Sequence, residues 1–198
     1  MIETIIDVQK KLLEAAKICD LDKIEEALTA SGEELDTIIN IQDKNGRTPL
    51  HLAVMSNMID INKKCNAIER LTSVPTCRTN IKDNEGYTPL YSSVVRREGI
   101  EVVIALTLTR DFDPNQTDEE KRTVLHQAAS QGNITLIHLF AHKKCDIKAE
   151  DRDGNTPLQI ANANDNFDAM KVLLEHYYSR NVMDEVIEIM AVSPGYFD

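Results

Sequence analysis

The sequence predicts an all-α fold: about five stacked helix-turn-helix repeats, joined by β-turn or hairpin loops and closed by a C-terminal capping helix. Three observations predict it. One phrase recurs as Gly46-Arg47-Thr48-Pro49-Leu50, Gly86-Tyr87-Thr88-Pro89-Leu90 and Gly154-Asn155-Thr156-Pro157-Leu158, with a degraded copy at Arg122-Thr123-Val124-Leu125-His126. An aspartate stands five residues before each threonine, at 43, 83, 118 and 151, so the starts are 40, 35 and 33 residues apart. Such a recurrence marks a row of small units that must stack, not a globule around one cleft. Aromatic residues make up only 5% of the chain and Trp is absent, which suits thin helix pairs packed by Ala, Leu and Ile.

The elements follow in order. Residues 8–42 form a degenerate first repeat: Leu12, Leu13, Ala15 and Ala16 fit an inner helix, Ile24, Ala27 and Leu28 an outer one, and Asn40-Ile41-Gln42 a closing turn. It lacks Thr-Pro, and Lys10, Lys11, Glu14 and Lys17 make it polar, as befits an end that faces water. The next repeats span 43–82, 83–117, 118–150 and 151–178. In three of them Asp-x-x-Gly supplies turn chemistry, Thr an N-cap, and Pro a first helical residue that sacrifices no hydrogen bond; the degraded 118–150 copy keeps the Asp and Thr. Gly132 ends a short first helix, and Ile134, Ile137, Leu139 and Phe140 give the second its apolar face. The 43–82 repeat exceeds the 33-residue period by seven, placed near Met58–Asn66 or Ser73–Thr79, and the 83–117 repeat by two near Arg96-Arg97-Glu98-Gly99. Met183, Val186, Ile187 and Met190 predict a short closing helix within 179–198, broken at Ser193-Pro194-Gly195. The whole chain, 1–198, reads as one domain.

Thr48-Pro49-Leu50-His51-Leu52-Ala53 and Thr123-Val-Leu-His-Gln-Ala-Ala-Ser-Gln-Gly-Asn133 resemble the T-P-L-H-x-A motif of ankyrin repeats. The resemblance covers about residues 8–178. It implies a non-enzymatic scaffold that binds a partner protein through a concave face of turn tips and first helices. Carried over position by position, the binding residues are Lys44, Asn45, Arg47, Met55 and Ser56, then Asn84, Glu85, Tyr87, Val95 and Arg96. In the later repeats they are Glu119, Glu120, Arg122, Ser130 and Gln131, then Arg152, Asp153, Asn155 and Asn164. Tyr87 and the arginines are the expected anchors, because Tyr and Arg dominate interface hot spots. The resemblance also implies that His51 and His126 hydrogen-bond neighbouring backbone and tie repeats together, with Tyr91 and Gln159 at the equivalent positions.

Charge bounds the partner. The net charge is −11, which argues against general binding to a phosphate backbone. Residues 43–82 alone are basic, with seven Lys and Arg against three Asp and Glu. They read either as charges keeping a loop soluble or as a docking patch for an acidic segment. No run approaches the roughly 18 apolar residues of a membrane span, and Met1-Ile2-Glu3 opens an acidic stretch unlike a signal peptide. Cys19, Cys65, Cys77 and Cys145 show no CxxC pairing, and Cys145 fits a small buried position. These features predict a reducing cytoplasmic or nuclear setting and sequons Asn115-Gln-Thr117 and Asn133-Ile-Thr135 that go unused, and the degenerate ends of the stack predict a monomer.

Enzyme motifs are missing: no phosphate loop, no GxSxG elbow, no HExxH pair. No catalytic residue, cofactor or metal is predicted. His138 and His142 stand four apart on a second helix, but with no third ligand nearby in sequence they read as a solvated face; His176 falls on a later second helix. Two variants of the binding reading stay open. One is a microbial effector acting on a host protein in the host cytosol, suggested by the Ile, Asn and Lys content. The other, implied by the resemblance, is a substrate of asparaginyl hydroxylation at Asn40, Asn80 or Asn115.

Overall fold

The computed structural model describes residues 4–192, with side chains described as far as Ser179. Among them the chain forms eleven α-helices and no strand, only an isolated antiparallel bridge between Thr117 and Thr123. This is the all-α repeat fold the sequence predicts. The chain divides into two compact units between Val124 and Leu125, and each is described in turn.

The first unit holds three helical hairpins. They are α1 (Ile5–Lys17) with α2 (Leu21–Ala30), α4 (Pro49–Val54) with α5 (Ile61–Thr72), and α6 (Pro89–Val95) with α7 (Ile100–Thr107). First helices α1, α4 and α6 pack in one row, and second helices α2, α5 and α7 in another. Helices of six or seven residues, such as α4 and α6, are too short to persist alone in water. Thr48 and Thr88 cap them by accepting the backbone N–H of His51 and Tyr91. Packing does the rest: Leu12, Ala15, Ala16, Ile24, Leu50, Ala53, Ile68, Leu71, Val94, Val102 and Val103 are buried. Each wholly buried Leu or Ile contributes about 1.5–3 kcal/mol, and the alanines let neighbouring helices approach closely.

Two features were not in the sequence reading. A 3-10 turn at Gly32–Glu34 leads into α3 (Leu35–Ile39), whose Ile38 and Ile39 are buried. The seven extra residues of the second repeat are shared between both of the places considered. Its two helix caps, Thr48 and Asp60, are 12 residues apart, against 10 for Thr123 and Asn133. The other five lie beyond Asp60, in the 12-residue α5 and the turn through Val74 and Cys77 that follows it.

The second unit contains α8 (Val124–Ser130), which begins at the boundary, α9 (Ile134–His142), α10 (Pro157–Ala163) and α11 (Phe167–Val192). On α9 the buried residues are Leu136, Ile137, Phe140 and Ala141, while Ile134 is exposed. Both α9 and α10 pack against α11. The separate closing helix expected within 179–198 is corrected: α11 runs unbroken for 26 residues through Val192. Residues 175–185 contain no Gly or Pro to stop it. The break expected at Ser193-Pro194-Gly195 lies outside the described residues.

The four turns share one construction. The N–H of Asp43, Asp83, Asp118 and Asp151 donates to the carbonyl four residues later, at 2.9–3.0 Å. Oδ1 of each aspartate accepts the N–H groups two and four residues on, at 2.8–3.0 Å. This closure demands a left-handed residue third after the aspartate. Gly46, Gly86 and Gly154 supply it at φ 75°, 78° and 79°, but the degraded fourth copy puts Lys121 there at φ 59°. A Cβ on Gly46 would also stand 2.8 Å from the backbone nitrogen of Asn84. Lys121→Gly is therefore expected to stabilise the protein by about 1 kcal/mol through relief of left-handed strain, and Gly46→Ala to destabilise it by at least as much. Urea unfolding midpoints check both; a lower midpoint for Lys121→Gly would contradict the turn assignment.

Candidate partner-binding surface

The first two turns of the first unit, at 43–47 and 83–87, are bonded to each other through backbone. Asn84 N–H donates to the Asn45 carbonyl at 2.9 Å, and its side-chain amide donates to the Lys44 carbonyl at 3.2 Å. The tips are thereby fixed relative to each other while their side chains reach solvent. Lys44, Asn45, Asn84, Glu85, Glu119 and Glu120 are exposed, as is Arg96 beyond α6. In the second unit Arg152 and Asp153 are exposed, and Gln131 and Asn155 half-buried. Met55 is half-buried, but Ser56 is buried and its hydroxyl accepts the N–H of Met58, so it shapes the loop between α4 and α5.

The expected anchors are engaged within the scaffold. Arg47 reaches across to Asp83 at 3.9 Å and Glu85 at 3.5 Å. Arg122 pairs with Asp118, Nε to Oδ2 at 2.9 Å and Nη2 at 2.8 Å. Tyr87 stacks on Tyr91 with ring centroids 5.0 Å apart and planes 24° from parallel. All three are half-buried, and each offers a partner only part of its surface.

Beneath the tips lie the links between repeats. His51, wholly buried, accepts the Thr48 N–H at Nδ1 (3.2 Å), which places its proton on Nε2; that nitrogen donates to the Tyr87 carbonyl at 2.9 Å. His126 makes the same reach to the Asn155 carbonyl at 3.0 Å within the second unit. The structural role that the resemblance implies for both imidazoles is what the geometry shows. Tyr91 substitutes a hydroxyl, donating to Asp118 Oδ2 at 2.9 Å. Burial, and then the bonded Asp118 carboxylate, push the Tyr91 phenol far above its ordinary value. Burial alone would raise the Asp118 carboxyl, but donors from Arg122 and Tyr91 outweigh it and hold it below the carboxylate range. Gln159, which is exposed, folds back on its own helix start, accepting the Thr156 N–H at 2.7 Å.

The opposite ends of the repeats are stitched as well. Asn40 accepts the Arg78 N–H at 2.8 Å and donates to the Thr76 carbonyl at 2.7 Å, and the Asn80 amide donates to the Asp111 carbonyl. The basic stretch 43–82 is partly spent in the same way. Besides Arg47, Lys64 is buried and meets Glu98 at 2.7 Å, and Arg70 forms a bidentate pair with Glu25, Nη2 to Oε2 at 2.8 Å. Three of its seven cations thus join it to the more acidic repeats on either side, and the remaining four, Lys44, Lys63, Arg78 and Lys82, are exposed. None of the four cysteines is in a disulfide; Cys19 and Cys145 are buried.

This combination of aspartate turns, Thr-Pro helix starts and imidazole links defines a class. A family profile described as ankyrin repeats, in three copies, matches residues 12–118 and again 94–184. The chain belongs to the ankyrin-repeat family, whose repeats are in general protein–protein interaction modules. It is similar to an ankyrin repeat-containing protein of Schizosaccharomyces pombe, 30% identical over 138 residues, covering 69% of this chain and 55% of that protein. It is also similar to human Rabankyrin-5, at 28% over 130 residues (65% of this chain, 10% of that one). A third relative is the neurogenic locus notch homolog protein 1 of Xenopus laevis, at 27% over 146 residues (73% and 5%). The chain therefore spans about half of the yeast relative and a small part of the other two.

The buried imidazole makes stability depend on pH. Burial lowers the His51 value below 6.5, against the opposing pull of the Tyr87 carbonyl and Asp83. The unfolded chain takes up a proton as pH falls through about 6.5, whereas the folded imidazole stays neutral. The His51 contribution is thus complete above about 6.5 and is lost as pH drops toward the lowered folded value. His51→Gln, which copies the native Gln159 cap, is expected to flatten the decline in unfolding free energy between pH 7.5 and 5.5. An identical slope in the variant would show that His51 does not carry this linkage.

Proposed function

We propose that the chain is a non-enzymatic scaffold that holds a partner protein on the exposed turn tips of its first unit. The observation that carries this reading is the fixed spacing of those tips, set by the Asn84 N–H to Asn45 carbonyl bond and by the Asp-anchored turns. A rigid row of exposed side chains loses little entropy on binding, which is what lets a modest surface hold a partner. The tips of the second and third turns carry Glu85, Glu119 and Glu120 in the open. The partner fitted to them presents Lys or Arg side chains, and complementary charge speeds encounter and selects against wrong partners.

The anchors differ from those that composition alone favours. Removing Arg47 or Arg122 breaks an ion pair inside the scaffold as well as any contact outside it. The clean test uses the exposed acids. A Glu119→Lys, Glu120→Lys double variant, which leaves the Arg47–Glu85 pair in place, is expected to weaken an isolated partner by roughly tenfold or more, about 1.4 kcal/mol, with helical circular dichroism unchanged. Equal affinity with the fold intact would move the binding surface elsewhere.

A further inference from the structure

Three of the five histidines gather on one face within the second unit. His138 and His142 are four residues apart on α9, so they share one face, and both are exposed. Helix α11 packs on α9 and brings the half-buried His176 to that face. Nδ1 of His138 lies 3.0 Å from Nε2 of His176. The His138 and His176 rings meet edge to face at a centroid separation of 5.2 Å, and His142 meets His176 similarly at 5.6 Å. The remaining two histidines are the repeat links already described, so these three imidazoles are not needed for that role.

The gap between the two facing nitrogens has the size of a metal seat. Nitrogens bound to one tetrahedral zinc ion at about 2.0–2.1 Å stand about 3.3 Å from each other. Seating the ion takes a widening of a few tenths of an ångström and a tilt of both rings, because the ion sits off the line that joins the two nitrogens. As a neutral pair, one ring donates its N–H across the gap and the other accepts. Moving that proton to the donor ring's other nitrogen leaves two lone pairs facing each other across the gap, with no change of charge. Imidazole nitrogen is a ligand of choice for Zn²⁺, Cu²⁺ and Ni²⁺, and histidines at i, i+4 on a helix can reach one ion together.

We propose that His138, His142 and His176 form a surface site for a divalent transition metal of the class that imidazole favours, with zinc as the probe ion. Among the described residues no three His, Cys, Asp or Glu side chains are placed to hold a metal as they stand, so binding requires the His142 ring to move. His138 and His176 provide the prepared pair, and the exposed ring of His142 turns about its side-chain bonds to complete the triad. Water takes the fourth position. Such an ion pins α9 to α11, tying the outer helices of the last two repeats.

The test is isothermal titration calorimetry of the full chain with zinc chloride, under a non-thiol reductant. The proposal expects one ion per chain. His138→Ala, His142→Ala and His176→Ala should each weaken binding by roughly tenfold or more, with circular dichroism unchanged. A Cys65→Ser, Cys77→Ser double variant should bind as the unaltered chain does. Absence of any one-to-one site, a histidine variant that binds as tightly as the parent, or loss of the site on removing the thiols would each overturn the proposal.

Discussion

A buried imidazole that reaches from one repeat to the backbone of the next is the contact on which the register of the first unit depends. Helix α4 is six residues long and α6 seven, and neither would hold together without a neighbour. Hydrophobic burial supplies most of the stabilisation but has no direction; it would tolerate a helix sliding by part of a turn. The His51 Nε2–H to Tyr87 carbonyl bond does not, because sliding would strand a buried donor and acceptor, a cost of about 1–3 kcal/mol. Tyr91 repeats the logic with a longer arm, reaching the Asp118 carboxylate that folds the following turn. Each repeat therefore fixes the turn of its successor.

Charge follows the same economy. The basic second repeat lies between more acidic ones, and Arg70–Glu25, Lys64–Glu98 and Arg47–Glu85 join it to them. The Lys64 pair is nearly dry, so it acts as a positional constraint more than as a source of stability. The consequence for function is a division of labour within each turn. The aspartate, the left-handed residue and the residue after it hold the scaffold, and the two residues between aspartate and left-handed position face outward.

Much of this was legible in the sequence. The Asp-x-x-Gly and Thr-Pro spacing located the turns and first helices, and the His51 link follows from the family motif. What the sequence concealed was mostly non-local. Arg47 looked like a free anchor because its partners Asp83 and Glu85 belong to the next turn; the Arg122 partner, Asp118, stands only four residues away and was readable. Helix α3 did leave a signal, since Leu35, Ile38 and Ile39 have helical spacing. The length of α11 was readable too, in the absence of Gly or Pro over 175–185. The meeting of His176 with His138 was not, because 38 residues separate them and only the packing of α11 on α9 brings them together.

The central claim is that the turns form a bonded row and are not independent loops. Native-state hydrogen exchange at single-residue resolution tests it most directly, through the amides of Arg47, Asn84 and Tyr87. Their partners are Asp43 Oδ1, the Asn45 carbonyl and Asp83 Oδ1. The account predicts that all three exchange slowly and together, with an opening free energy close to that of the buried helices α4 and α6. Exchange of the Asn84 amide at the rate of an open loop, while α4 and α6 stay protected, would contradict it.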